Sequence, residues 1–165
     1  MITGSDVATA NWTALNSKGG SQGIISYYDA SGFSEASSIA HTWDKDMLYA
    51  QAAALSAEMY GKGFQWVNGP TSQPLGRTPW CGRLVETFAQ DTCMNGIAFG
   101  LGVAAYVETG VIAGGKHFLL NEQETNRKTQ GSTLAYSAVA DDKTLHETYL
   151  FPFYDAVKAG MSAVM

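Results

Sequence analysis

Three short runs rich in β-branched and aromatic residues, at 24–28, 64–67 and 111–113, and a short apolar run at 161–165 punctuate this chain. Each reads as a strand, because such side chains suit a pleated, half-buried surface. Longer stretches with helical spacing lie between them. Residues 45–60 are alanine-rich, with Met47, Leu48, Leu55 and Met59 apolar. Thr42 or Asp44 can cap that helix, and Gly61 and Gly63 end it. Asp91 opens a second helix that runs to Glu108 and stops at Gly110. Thr144, with Glu147 three residues on, forms a capping box for a third. That helix turns Leu145, Tyr149, Phe153 and Val157 towards a core. Pro152 should kink it, since proline removes one hydrogen bond and crowds the turn behind.

Strands alternating with helices in this way imply parallel pairing through right-handed crossovers. The expected fold is therefore α/β and TIM-barrel-like, with about four parallel strands alternating with helices. A complete (β/α)8 barrel takes about 250 residues, so this is a partial one, about half. Residues 1–22 read as an irregular lead-in and 23–165 as the barrel part. The proline-containing loop from 68 to about 90 is long enough to be a functional rim. Gly100-Leu101-Gly102-Val103-Ala104-Ala105 matches the dinucleotide fingerprint G-x-G-x-x-A. It lies inside a helix rather than after a strand, so close packing is the better reading.

Composition narrows the function classes. The 165 residues are 45% hydrophobic and 15% charged, with a net charge of −5, as expected of a globular domain. A negative chain without Lys/Arg-rich runs is a poor match for nucleic acid. No apolar stretch reaches the roughly 18 residues of a membrane span. The first residues lack the basic start and apolar run of a signal peptide, and localisation stays open. Cys81 and Cys93 could form a bridge or stand alone. His41, His117 and His146 lack metal-ligand spacing, and there is no C-x-x-C. No metal or cofactor is implied.

Residues 111–124 carry the chemistry. A buried strand leads through Gly114 and Gly115 into Lys116 and His117, then Phe118, and closes on Asn121-Glu122-Gln123-Glu124. A strand ending in this way suits a polar ligand at the mouth of a parallel sheet. The stretch resembles the K-H-F/Y…N-E-Q-E signature of glycoside hydrolase family 3, and of its β-glucosidases in particular. Gly69-Pro70 with Pro74-Leu75-Gly76-Arg77 is similar to the family's G-P…P-L-G-R/K. Gly82 to Phe88 is similar to G-R-x-W-E-x-F, with Val85 in place of the tryptophan. Thr42-Trp43-Asp44 and the run from Asp141-Asp142-Lys143-Thr144 to Phe151-Pro152-Phe153 resemble further family motifs, in family order.

The resemblance implies part of the N-terminal barrel of a β-glucosidase, with a β-glucoside or glucose as partner. It implies that Arg83, Lys116 and His117 hold the sugar, with Glu86, Asn121 and Glu122 in support. Lysine and arginine can give charge-assisted hydrogen bonds to hydroxyls, and neutral histidine can donate and accept. The family's nucleophile, the Asp of an S-D-W motif, and its acid/base Glu are expected to lie outside this stretch, so the chain alone should not hydrolyse. An acidic and a basic sugar contact of the family fall at Gly19 and Ile25, which offer neither acceptor nor donor. That departure favours an alternative, a noncatalytic remnant that binds sugar or a protein. The open edges of a half barrel invite self-association.

Overall fold

The computed structural model describes residues 4–81, 83–121 and 123–165. Glu122, expected in support of the site, lies outside the described residues. Four short strands form one sheet: β1 (Ser17–Gly19), β2 (Trp66–Asn68), β3 (Ile112–Gly115) and β4 (Ala163–Val164). They are parallel and adjacent in sequence order. The register pairs Lys18 with Val67, Val67 with Ala113, and Gly114 with Ala163. Helices α1 (Ala36–Ala40) and α2 (Lys45–Gly61) connect β1 to β2, and α3 (Thr92–Thr109) connects β2 to β3. The last crossover starts as α4 (Asp142–Thr144), widens into a π-helical stretch, Leu145–Leu150, and ends as α5 (Phe151–Lys158). This is the α/β alternation that the sequence pattern implies.

The core lies between the sheet and the packed pairs α2–α3 and α3–α5. Val67 and Ala113 face it from the strands, and Met59, Phe99, Val103 and Phe153 from the helices, all buried. Phe99 and Phe153 meet edge to face at 5.2 Å, the arrangement that ring quadrupoles favour. Local chemistry sets the helix ends. The Asp44 carboxylate accepts from the N–H groups of Asp46 and Met47 at 2.9 and 3.0 Å, and Asp91 accepts from Met94 N–H at 2.7 Å. Such caps each contribute about 1 kcal/mol. Gly110 closes α3 in the left-handed region, at φ 88°. No helix among the described residues is long and apolar enough to cross a membrane.

Several expectations need correction. The first strand is Ser17–Gly19, not 24–28; Ile24 is buried there, but Ile25 is 58% exposed and Tyr28 92%. A three-residue Ser-Lys-Gly strand uses only its backbone in the ladder and carries no apolar signature. Asp141, not Thr144, caps the last helix, accepting from Thr144 N–H at 2.9 Å and from its hydroxyl at 2.8 Å. Thr144 is thus already helical. Pro152 lies one residue past the π-helical stretch, in the first turn of α5. The Thr148 carbonyl, which the missing proline N–H would have bonded, accepts from the Thr92 hydroxyl at 3.4 Å instead. Val157 turns outward at 61% exposure, and Cys81, which is buried, and Cys93, which is exposed, are not joined in a disulfide.

The glycines of α3 do serve close packing, but against α5 and a loop rather than the sheet. A β-carbon on Gly100 would sit 3.3 Å from the Asp155 carbonyl oxygen. One on Gly102 would sit 2.9 Å from Pro70 and 3.2 Å from Phe88. Gly61, at the end of α2, has nothing within 4 Å. Two substitutions should therefore move stability in opposite directions. Gly102→Ala should lower the urea midpoint, overpacking of about 1–3 kcal/mol outweighing a helix-propensity gain of about 1 kcal/mol. Gly61→Ala should raise it by about 0.5–1 kcal/mol.

Candidate functional site at the mouth of the sheet

The chain beyond β2 keeps company with the chain beyond β3. Lys116 N–H donates to the Pro70 carbonyl at 3.2 Å, and Ser72 N–H donates to the Lys116 carbonyl at 2.6 Å. Thr71 bridges to Lys116 on one side and to Thr87 on the other. This puts Lys116 and Glu86, the residue before Thr87, in the two rows on either side of Thr71, past the C-terminal ends of the strands. The Lys116 ammonium donates to Glu86 Oε2 at 2.6 Å, with side-chain exposures of 8% and 17%. An uncompensated charge buried so deeply costs several kcal/mol, and the Glu86 carboxylate supplies the compensation.

The pair belongs to a longer chain of charges. Glu86 Oε1 faces Arg83 Nη1 at 3.7 Å. Arg83 Nε donates to Glu124 Oε1 at 2.8 Å, and Arg127 Nη1 approaches the same oxygen at 3.4 Å. Three cations thus meet two carboxylates. Arg83 Nη2 is buried with no hydrogen-bond partner, as are the hydroxyls of Thr71 and Ser72.

His117 stands beside this network without joining it. Its Nδ1 lies 3.3 Å from Gln73 Oε1, which also accepts from Asn121 Nδ2 at 3.4 Å. The Gln73 amide is oriented by its other end, where Nε2 donates to the Asn121 carbonyl. Gln73 Oε1 is therefore an acceptor, Nδ1 carries the proton, and Nε2 is left as an acceptor. Burial, reinforced by the positive charges of Lys116, Arg83 and Arg127 against the smaller pull of Glu124, lowers the His117 pKa to about 3. The ring is neutral at ordinary pH. It lines an open cavity of about 530 Å³ with Phe118, Asn121, Arg127 and Tyr136 among its neighbours.

Of the residues singled out in the sequence, Arg83, Glu86, Lys116 and His117 come together at this mouth. Asn121 joins them at one remove, through Gln73. The sequence reading passed over Gln73, Glu124 and Arg127. Glu124 closes the Asn-Glu-Gln-Glu tetrad, but its role comes from Arg83, 41 positions away. Gln73 had no local signal, since its partners lie 44 and 48 positions away. Among the described residues no group of three His, Cys, Asp or Glu could hold a metal ion. The mouth offers strong donors at Lys116 and Arg83 and a neutral acceptor at His117, a set suited to hydroxyl groups.

Comparisons with known proteins agree on one family. The model of the glycosyl hydrolase family 3 N-terminal domain matches residues 12–165. A probable beta-glucosidase D of Aspergillus oryzae is 56% identical over 171 residues, covering 100% of this chain and 23% of its own length. The crystal structure of the β-glucosidase D2-BGL from Chaetomella raphigera superposes with a TM-score of 0.88 at 36% identity, covering 98% of this chain and 22% of that one. DesR, a β-glucosidase from Streptomyces venezuelae solved in complex with D-glucose, superposes with a TM-score of 0.85 at 25% identity, over 96% of this chain and 20% of that one. The chain thus spans about a quarter of the length of these proteins.

The His117 environment makes a pH prediction. The unfolded histidine takes up a proton near its ordinary value of 6.5, whereas the folded one refuses it down to about 3. Stability from this group is therefore present above about pH 6.5 and is lost as pH falls towards 3. The His117 ring-proton resonance should stay unshifted from pH 8 to 5, and His117→Gln should lose stability less steeply than the wild type over the same range. A resonance that titrates near 6.5 would refute the buried, cation-flanked placement.

Proposed function

The chain belongs to glycosyl hydrolase family 3, and on that premise we propose that it is the sugar-gripping part of a β-glucosidase-type enzyme. The reaction is retaining hydrolysis of terminal, non-reducing β-D-glucosyl residues. In this reading Lys116 Nζ and Arg83 Nη2 donate to glucosyl hydroxyls, and His117 Nε2 accepts from one. The observation that carries it is Arg83 Nη2, a buried guanidinium donor with no partner. Such a group costs about 1–3 kcal/mol when left unpaired, and a ligand hydroxyl would satisfy it. The D-glucose in the DesR structure supports the choice of sugar.

A retaining mechanism needs two carboxyl groups about 5–5.5 Å apart across the glycosidic bond. We propose that both come from outside residues 1–165. Glu86 and Glu124 are committed to Lys116, Arg83 and Arg127, and a carboxylate tied to cations is a poor nucleophile or proton donor. Glu86 positions Lys116 and Arg83, and Asn121 positions His117 through Gln73.

A second reading, the noncatalytic remnant, is favoured by one corner of the mouth. The Ile25 Cδ1 atom lies 2.8 Å from where a Gly19 β-carbon would be. Hydrocarbon therefore covers the end of β1, where a sugar site would want polar groups. If such a remnant completes its sheet by pairing with a second copy, scattering from the chain should give twice the monomer mass. A compact monomer counts against that.

Three measurements test the first reading. D-glucose added to the 165-residue chain should shift the His117 resonances in a saturable way. Arg83→Lys keeps the charge but loses the guanidinium fork, and should weaken binding about ten- to a hundredfold, as expected for a lost charged hydrogen bond of about 1.5–3 kcal/mol. The same chain should not turn over an aryl β-glucoside above a Lys116→Ala control. Unperturbed His117 resonances at saturating glucose would overturn the sugar assignment, and clear turnover would overturn the division of labour.

A further inference from the structure

Glu35 belongs to no motif and takes no part in the network above. It occupies the N-cap position of α1, where a short polar side chain accepts a hydrogen bond from the first helical N–H groups and the longer glutamate is a poor substitute. Here the side chain makes no capping bond. Its Oε2 is instead buried with no hydrogen-bond partner. α1 packs directly on the Leu84–Glu86 turn, so the carboxyl lies on the Glu86 side of the mouth. Burial, and then the charge of Glu86, raise its pKa above the ordinary carboxylate value. A carboxylate oxygen held out of water without a partner costs free energy in the folded state. Such a group needs an explanation outside the fold itself.

The placement suggests one. Arg83 faces Glu86 at 3.7 Å with a buried donor to spare, and Glu35, at the start of the helix that packs on the Leu84–Glu86 turn, has a buried acceptor to spare. An unsatisfied donor and an unsatisfied acceptor thus lie on the two segments that pack together around Glu86. β1 brings no acceptor there, because it ends in Gly19 with the Ile25 side chain lying over it. Pyranose hydroxyls donate and accept at once, so one sugar can meet both needs.

We propose that Glu35 is a further sugar-binding residue of this mouth, accepting a hydrogen bond from a pyranose hydroxyl opposite the Arg83 donor. The assignment rests on reading the mouth as a sugar site. It makes Glu35 a residue that binding requires and folding does not, and the two roles separate experimentally. In the 165-residue chain, Glu35→Ala should weaken D-glucose binding at least tenfold in a chemical-shift titration. It should also leave the urea midpoint unchanged or raise it, because a desolvated carboxyl and its repulsion with Glu86 are gone. Glu35→Gln, which keeps the shape and one acceptor, should fall between Ala and the wild type in affinity. If Glu35→Ala binds glucose like the wild type while Arg83→Lys is weakened, Glu35 has no such role and the sugar reading survives. If Glu35→Ala loses affinity and stability together, Glu35 is structural and the proposal fails. If the wild-type chain itself shows no saturable binding, the proposal falls together with the sugar reading.

Discussion

The rest of this structure depends on one buried ion pair, Lys116 with Glu86 at 2.6 Å. Removing one partner of such a pair leaves the other charge buried without compensation and typically costs about 3–5 kcal/mol. The backbone has therefore to deliver them together. It does so through Thr71, which bridges to Lys116 on one flank and to Thr87 on the other. The pair is a poor source of net stability, because burying both charges offsets most of their attraction. Its use is positional. It fixes a lysine and, through the other Glu86 oxygen, an arginine at the open end of a parallel sheet.

That end of the sheet is where α/β folds collect ligands, and this one is polar in a particular way. Its cations are held by carboxylates, which blunts their attraction for free anions. Its histidine is kept neutral by burial and by those same cations. Its unsatisfied atoms are a guanidinium nitrogen and two hydroxyls, and a carboxyl oxygen of Glu35 beside the helix that packs on the Glu86 turn is unsatisfied too. Such a surface matches a neutral, many-hydroxyl ligand better than a phosphate or a metal ion. The price in stability is visible in the same unsatisfied atoms, which a sugar would complete.

How much of this could be read from residues alone varied with the range of the interaction involved. The Asp44 and Asp91 caps and the Gly110 stop were legible because a cap is settled within four residues. The alternation of strands and helices was legible from the change of hydrophobic period, and so was the strand leading into Lys116 and His117. β1 was not, since Ser17–Gly19 is a strand only because β2 lies beside it. Asp141 was passed over for Thr144 because both can cap, and only the backbone decides where the helix begins. At the site, Arg83, Lys116 and His117 stood out by motif. Gln73 and Glu35 did not, since they matter only through partners remote in sequence or a burial that no pattern encodes.

The most direct test is a crystal structure of the chain soaked with D-glucose. The account predicts one pyranose at the mouth, with hydroxyls within hydrogen-bond distance of Lys116 Nζ, Arg83 Nη2 and His117 Nε2, and with the Lys116–Glu86 pair intact. Glucose bound elsewhere while these atoms keep only solvent would contradict it, as would a Lys116 side chain swung out of the mouth and away from Glu86.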